Sequence, residues 1–224
     1  MSADALATAV IAAAGSGERL GSGGPKALAE VAGRPLLAWS LAALAEAERI
    51  GSVVVAAPHG HEDAIRAIAG EAAVVTGGAS RSESVALALG LVETELVAVH
   101  DAARPLAPPG LFDAVIAELA GDRGCDAVIA AAPVADTLKR ALAGRVIETV
   151  PRSELWAVQT PQAFRAEALR SAIDADPETL AGATDDASLV EAAGGVVRLF
   201  EVTDPNPKLT TPADLAIAEA LLEA

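Results

Sequence analysis

The stretch AAGSGERLGSGGPKAL, residues 13–28, directly follows the mostly apolar run Ala5–Ala12. That run predicts a buried strand over Leu6–Ala12. A glycine-rich loop after a buried strand is a common binding place for phosphate groups, because its backbone N–H groups can donate to them. The stretch therefore predicts an α/β protein with a phosphate-binding loop near its N-terminus.

The spacing of the glycines argues against both common phosphate loops. Counted from Gly15, the dinucleotide fingerprint needs its third glycine where Leu20 stands, and the P-loop needs a glycine directly before Lys26, where a proline stands. What remains is a longer loop with backbone donors, Arg19 and Lys26. Such a loop suits a triphosphate whose charge shifts in a transition state. A flexible Gly/Ser turn is the alternative.

Short apolar runs alternate with segments of helical spacing along the chain. This alternation predicts βαβ units, and hence a mainly parallel twisted sheet flanked by helices in a single domain over residues 1–224. The predicted strands are Leu6–Ala12, Val53–Ala57, Ala73–Val75, Leu96–His100, Ala127–Ala131 and Val196–Val202. The predicted helices are Leu36–Ala47, Glu62–Ala69, Ser82–Leu91, Pro109–Leu119, Phe164–Ala175, Asp185–Ala193 and Thr211–Leu222, the last with Thr211 as N-cap.

The loops after the first strands are the candidate site, because ligands of such sheets lie beyond the carboxyl ends of the strands. These loops begin at Ala13, Gly77 and Asp101. Asp101 falls just past a predicted strand end and can accept hydrogen bonds or lie near a metal. Arg104 can pair with a phosphate. A surface ion pair is the alternative for Asp101 and Arg104, and His100 is expected to be structural.

Residues 134–152, VADTLKRALAGRVIETVPR, show charge and alternation rather than helical spacing. They predict a β-arm outside the main sheet, with strands Thr137–Arg140 and Arg145–Val150. Since an isolated hairpin is marginal in water, we expect this arm to pack on a second copy of the chain in a homodimer. A simple surface hairpin is the alternative.

Composition limits the classes of partner. The net charge is −15 and aromatic residues make up 2% of the chain, which argues against nucleic acid and anionic membranes as partners but leaves small anionic substrates open. The single cysteine, Cys125, allows no disulfide within the chain and is expected in the core. The N-terminus lacks a basic segment before an apolar run, so we expect no signal peptide and a cytoplasmic protein.

Seven motifs occur in order and together resemble one family. They are AAGSGERLGSGGPK, GGASRSESV, VHDAARP, APVADTLKR, QTPQAF, ATDDAS and the lysine before LTTPADLA. From about Ala5 to Leu222 the chain is similar to the 2-C-methyl-D-erythritol 4-phosphate cytidylyltransferases of the non-mevalonate isoprenoid pathway. The resemblance implies a Rossmann-like nucleotidyltransferase fold with a protruding β-arm that interlocks a homodimer. It also implies transfer of CMP from CTP to methylerythritol phosphate, with magnesium or another divalent cation held mainly by the CTP phosphates.

The resemblance also implies roles for particular residues. It implies that Arg19 and Lys26 stabilise the transition state. It also implies that nine residues contact the nucleotide: Ala13, Ala14, Gly15, Gly17, Gly78, Ala79, Ser84, Asp101 and Ala102. Binding of the methylerythritol phosphate falls to Arg104, Thr137, Arg152, Thr160 and Lys208, and Thr137 and Arg152 can serve the neighbouring subunit because they lie on or beside the arm. Ala79 and Glu83 depart from the commonest family pattern, and Pro207 before Lys208 leaves the reach of that lysine open.

The implied nucleophile is a phosphate monoester, which is largely dianionic at neutral pH because its second pKa is about 6. No general base is needed, which agrees with the lack of a convincing Ser-His-Asp set. Two alternatives remain at this point. One is a ribitol 5-phosphate cytidylyltransferase, although such enzymes more often have Ser-Val where this chain has Ala102 and Ala103. The other is a non-catalytic nucleotide-binding module.

Overall fold

The computed structural model describes residues 6–17, 20, 23–175 (only the backbone at 175) and 183–223. Its strands are β1 (Ala7–Ala12), β2 (Glu30–Val31), β3 (Arg34–Pro35), β4 (Ile50–Ala57), β5 (Ala73–Thr76), β6 (Leu96–Asp101), β7 (Ala127–Pro133), β8 (Leu138–Leu142), β9 (Arg145–Val150), β10 (Trp156–Arg165) and β11 (Val197–Glu201). Seven of them form the central sheet, in the order β11-β7-β10-β6-β1-β4-β5. Neighbours in it are parallel except β10, which is antiparallel to β6 and β7.

Helices cover both faces of this sheet. They are α1 (Leu36–Glu46), α2 (Glu62–Ala69), α3 (Arg81–Leu89), α4 (Pro109–Gly121), α5 (Ala166–Ala175), α6 (Asp186–Ala192) and α7 (Pro212–Leu222). Alternate residues of β1 enter two apolar clusters, with Ile11 facing α1, α2 and α4 and Val10 facing α3, α5 and α6. A strand buried on both faces explains why β1 is a continuous apolar run. The predicted α/β fold with a mainly parallel sheet is confirmed.

The predicted elements up to residue 133 are all present, with ends that differ by at most three residues. One boundary matters for the site: Asp101 is the last residue of β6 rather than the first residue beyond it. Near the C-terminus, Thr211 caps α7 as predicted, because its side chain accepts from the N–H of Asp214. Among the helices of the described residues, none is long and apolar enough to cross a membrane.

The helix predicted over Phe164–Ala175 is wrong in its first part. The segment Trp156–Arg165 is a strand in the middle of the sheet, and the helix begins at Ala166. Pro161 argued against a central strand, because proline cannot donate to the ladder. The strand tolerates it because the pairing with β7 shifts register between Val158 and Gln162, which takes Pro161 out of the regular ladder.

The segment predicted as an arm forms a separate two-stranded sheet, β8 and β9. The second strand has the predicted bounds, whereas the first starts at Leu138, one residue after Thr137. Leu142, Val146 and Ile147 on this arm are 72%, 62% and 60% exposed. The arm's role in dimerisation stays a prediction.

The arm and the small hairpin formed by β2 and β3 have the same type of turn. Between β8 and β9, Ala143 and Gly144 have φ values of 46° and 78°, and between β2 and β3, Ala32 and Gly33 have values of 47° and 71°. Two successive residues in this region match the two-residue hairpin turn whose twist suits a β-ribbon. Alanine is a poor choice for the first of them, since a Cβ is strained at positive φ.

Candidate active site

A cleft of about 530 Å³ opens at the carboxyl edge of β1 and β6. The loops after β1, β5 and β6 line it, as the parallel order predicts. Lys26 from the first loop and Lys208 from the segment before α7 face it as well. Every residue predicted to contact the nucleotide lies on its wall: Ala13, Ala14, Gly15, Gly17, Gly78, Ala79, Ser84, Asp101 and Ala102.

The first loop folds back on itself around Gly17. The N–H of Lys26 donates to the carbonyl of Gly15 at 3.1 Å, which brings the lysine beside the end of β1. Gly17 has a φ of 75°, and a Cβ there would lie 2.7 Å from the carbonyl oxygen of Gly24 and 2.9 Å from the nitrogen of Lys26. Only glycine permits this close backbone approach. Arg19 lies outside the described residues, so its role stays a prediction.

The second loop uses its amide donors internally. The N–H of Gly78 donates to Ser84 Oγ at 3.1 Å, and the N–H of Ala79 donates to Glu83 Oε2 at 2.7 Å. Glu83 and Ser80 form a capping box that starts α3. The Ser84 hydroxyl itself donates to the Ser80 carbonyl at 2.8 Å. Because a hydroxyl has two lone pairs, Ser84 can still accept one hydrogen bond from a ligand.

Asp101 is shared between two cations on the floor of the cleft. Its Oδ1 lies 2.8 Å from Arg81 Nε, and its Oδ2 lies 2.7 Å from Lys208 Nζ. Burial alone would raise the pKa of Asp101, but the charges of Arg81 and Lys208 outweigh burial and hold that pKa well below its usual value. Asp101 is therefore ionised at any physiological pH. The alternative of a surface ion pair is wrong for Asp101 and for Arg104, because both residues are buried.

A second cleft, of about 460 Å³, adjoins the first and shares Arg81, Asp101 and Lys208 with it. Arg104 and Thr160, two of the residues predicted to bind the second substrate, line it. Arg104 is buried, and burial lowers its pKa. Its Nη1 donates to the carbonyl of Asn206 at 2.6 Å.

Backbone contacts around Asn206 place the neighbouring lysine. Asn206 Nδ2 donates to the carbonyl of Thr160 at 2.9 Å, and the N–H of Leu209 donates to the carbonyl of Ala103 at 2.8 Å. Lys208 is thus held between two anchored residues and reaches Asp101. With Pro207 before it, Lys208 still lines both clefts, and its predicted role in binding the substrate stays a prediction.

His100 is a structural residue, as expected. It is completely buried, its ring lies edge-on to Phe112, and burial lowers its pKa to about 4. Thr160 Oγ1 accepts from the N–H of Asp101 and lies 3.0 Å from His100 Nδ1. The hydroxyl therefore donates to Nδ1, and Nε2–H donates to the carbonyl of Arg104 at 3.2 Å. The neutral ring ties β6 to β10 and to the Arg104 loop.

Two of the predicted substrate residues lie elsewhere. Thr137 and Arg152 are exposed at the base of the arm, just before β8 and just after β9, and neither lines either cleft. One chain therefore does not bring them to its own site.

The clefts contain few groups that could hold a metal ion. Within the part of the chain that the structure describes, no cluster of three or more His, Cys, Asp or Glu side chains could do so. Each carboxylate oxygen of Asp101 already has a cationic partner.

A family model described as IspD, 2-C-methyl-D-erythritol 4-phosphate cytidylyltransferase, matches residues 7–224. This chain belongs to that family. A cytidylyltransferase of the same name from Deinococcus radiodurans is 48% identical over 214 residues, which cover 95% of this chain and 88% of that protein. One from Frankia casuarinae is 46% identical over 218 residues, covering 96% and 80%.

Solved structures give the same result for the fold. The crystal structure of 2-C-methyl-D-erythritol 4-phosphate cytidylyltransferase from Thermus thermophilus is 36% identical, with a TM-score of 0.81, and the alignment covers 96% of this chain and 98% of that one. As a member of the IspD family the chain is a cytidylyltransferase. The family assignment supports the resemblance drawn from the seven motifs rather than either alternative.

The site of this IspD family member includes polar and charged residues that the sequence did not single out. Arg81 bridges Asp101 to Asp186, with its Nη1 2.5 Å from Asp186 Oδ2. Gln162 lines the second cleft, and its Nε2 donates to Asp185 Oδ2 at 2.9 Å. Arg81 and Asp185 both lie within motifs quoted for the family, GGASRSESV and ATDDAS, and that was the only signal available for them.

Proposed function

We propose that the two adjoining clefts join CTP to 2-C-methyl-D-erythritol 4-phosphate, giving 4-diphosphocytidyl-2-C-methyl-D-erythritol and pyrophosphate. One observation supports this most: the residues predicted for the nucleotide line one cleft, and Arg104, Thr160 and Lys208 line a second cleft that shares Asp101 with it. A substrate in each cleft would meet where they join, which is the arrangement a transfer reaction needs.

The chemistry requires cancellation of charge rather than proton abstraction. An oxygen of the methylerythritol phosphate attacks the α-phosphorus of CTP, and the bond between that phosphorus and the bridging oxygen of pyrophosphate breaks. Both reactants are anions, so the barrier comes largely from repulsion and from alignment of the attacking and leaving oxygens. Lys26 at the nucleotide cleft, with Arg19, would stabilise the charge on the α-phosphate.

The second loop offers a basis for selecting cytosine. Its amide donors are used by Ser84 and Glu83, and Ser84 Oγ keeps one lone pair. An acceptor at this position suits the exocyclic amino group of cytosine and not the carbonyl that uracil has instead. A site that leaves an acceptor unpaired against the wrong base rejects that base strongly.

A magnesium ion belongs to this proposal as a partner of the triphosphate. Mg²⁺ commonly keeps several waters and binds substrate phosphates with few protein ligands. When bound it would add positive charge to the triphosphate. Lys26 would contribute a further charge, fixed by the protein.

The arm supports a homodimer as the working unit. It exposes Leu142, Val146 and Ile147, and Thr137 and Arg152 at its base do not line their own chain's clefts. In a two-fold dimer each arm would bury its apolar residues on the partner and deliver Thr137 and Arg152 to the partner's second cleft. Both residues would then bind the methylerythritol phosphate.

The cytoplasm is the proposed location. Cys125 is a buried free thiol whose Sγ donates to the carbonyl of Ala127 at 2.9 Å, and it needs no oxidising compartment.

The test is pyrophosphate release by the purified chain with Mg²⁺. We expect release with CTP and methylerythritol phosphate together, little with UTP in place of CTP, and little with ribitol 5-phosphate as the alcohol. Faster turnover of ribitol 5-phosphate would replace the proposed alcohol. Binding of CTP without any release in the presence of every alcohol would overturn the transferase proposal.

A further inference from the structure

Four side chains of alternating charge form a row along the boundary of the two clefts. Asp186 lies 2.5 Å from Arg81, Arg81 lies 2.8 Å from Asp101, and Asp101 lies 2.7 Å from Lys208. We call this set of four residues the charge row. The residues come from α6, α3, β6 and the segment before α7, so the row connects elements that are distant along the chain.

The inner end of the charge row is Asp186, which is buried. The Asp186 side chain is completely buried, and its Oδ1 has no hydrogen-bond partner among the described residues. A buried carboxylate is costly unless a cation compensates it, so Asp186 strongly favours the conformation in which Arg81 reaches it. Burial raises the pKa of Asp186, and the charge of Arg81 opposes that rise.

The position of Asp186 fixes that of Asp101 through Arg81, because a guanidinium is planar and has several donors in a fixed arrangement. Its Nη1 faces Asp186 while its Nε faces Asp101. The two oxygens of Asp101 therefore take different cations, which fixes the carboxylate toward Lys208. An ammonium group has three donors, and the Asp101 contact uses one of them.

We propose that Arg81 is a positioning residue for the transfer reaction: held by Asp186, it orients Asp101, and Asp101 holds the Lys208 ammonium toward the phosphate monoester substrate. This inference rests on the proposed function, since it assumes that Lys208 meets that phosphate. It differs from direct binding by Arg81, in which case the effects of Arg81 and Lys208 on the substrate would be independent.

The test is a double-mutant cycle on the full-length protein. Arg81→Met, Lys208→Met and the double variant are compared by steady-state kinetics with CTP and methylerythritol phosphate. We expect each single variant to raise the KM for methylerythritol phosphate about tenfold, with a smaller change in the KM for CTP. The double variant should match Lys208→Met within about twofold, because residues that act through one another are not additive.

Two further variants separate positioning from general stability. Asp186→Asn removes the anchoring charge with little change of shape and should also raise the KM for methylerythritol phosphate. Arg198→Met removes a surface ion pair with Glu118 and Asp122 and should leave both KM values unchanged. Arg81→Lys, which keeps the charge but cannot bridge both carboxylates in the same geometry, replaces Arg81→Met in the cycle if the latter does not fold.

Three outcomes would overturn the inference while leaving the proposed function intact. They are a folded Arg81→Met variant with wild-type constants, effects of Arg81 and Lys208 that multiply in the double variant, and equal changes in both KM values. Failure of the wild-type chain to release pyrophosphate from CTP and methylerythritol phosphate would instead defeat the proposed function.

Discussion

Asp101 is held by both its side chain and its backbone. Its carboxylate lies between Arg81 and Lys208, and the backbone N–H of Asp101 donates to Thr160 Oγ1. Through Thr160 it is linked to the buried ring of His100. Single residues on this part of the site are thus coupled through buried polar contacts, so their charge states are set by burial and by their neighbours. His100 gives the clearest case, because its environment favours one protonation state.

Stability should depend on pH through His100. Its pKa falls from about 6.5 in an unfolded chain to about 4 in the native one, so between these values the unfolded state binds more protons. The contribution is fully present above about pH 6.5 and is lost as pH falls toward 4. We expect His100→Gln to reduce the loss of unfolding free energy between pH 7 and pH 5 by about 2 kcal/mol.

Urea unfolding of both proteins at the two pH values measures this difference. An NMR titration of His100 in the wild-type protein provides an independent check. An imidazole pKa near 6.5 in the native state, or the same pH dependence of stability in both proteins, would contradict the structural role given to this residue.

Sequence motifs found the residues that line the nucleotide cleft but not the contacts between distant residues. Gly15, Gly17 and Lys26 are close in sequence, and the failure of two known spacings already indicated a longer loop. Arg81 and Asp186 are 105 positions apart, and each is an ordinary charged residue at the start of a helix. Their pairing depends on how α3 and α6 pack, which no local pattern encodes.

At the scale of elements, the hairpin of β2 and β3 shows a local strain. Ala32 has a φ of 47° in its turn, where an L side chain is disfavoured, and the neighbouring Val31 packs in an apolar cluster with Leu209 and with Ala218 of α7. We expect Ala32→Gly to raise the free energy of unfolding by about 0.5–1 kcal/mol, because the strain is relieved. Chemical denaturation measures the change.

The same substitution at Ala67 is the matched control. Ala67 is exposed inside α2, where glycine costs about 1 kcal/mol relative to alanine. A rise in the free energy of unfolding for Ala32→Gly and a fall for Ala67→Gly would support the turn assignment. If Ala32→Gly destabilised the protein as much as Ala67→Gly, the turn would not have the conformation described.

The elements show why periodicity predicted most of the sheet and missed β10. Strands β1 and β6 and the last four residues of β4 are buried on both faces and appear as apolar runs, whereas β10 combines glutamines, a threonine and Pro161. Its polar residues line the second cleft, and they interrupt the apolar pattern from which a strand would be predicted. The register shift beside Pro161 depends on the pairing with β7 and cannot be predicted from the local sequence.

At the scale of the whole molecule, the arm should decide both assembly and activity. Leu142 and Ile147 are among its most exposed apolar side chains. We expect the double variant Leu142→Lys with Ile147→Lys to be monomeric by light scattering and to lose most of its turnover, because Thr137 and Arg152 would no longer reach a partner's site. Burying two charged lysines in an interface is unfavourable.

Leu91→Lys is the control for this variant, since Leu91 is 50% exposed and lies in the turn that follows α3, outside the arm. It should remain dimeric and active. A wild-type chain that is monomeric and fully active would contradict the dimer proposal, as would an arm variant with unchanged mass.

The central claim is that fixed positive charge at the nucleotide cleft stabilises the transferring phosphate, and Lys26→Ala tests it most directly. We predict that kcat falls about 100-fold or more, a loss of about 3 kcal/mol of transition-state stabilisation, while the variant keeps the wild-type melting temperature. Arg66→Ala, which removes an exposed cation paired only with Asp63 among the described contacts, should keep the wild-type kcat. A folded Lys26→Ala variant with near-normal kcat would contradict the claim.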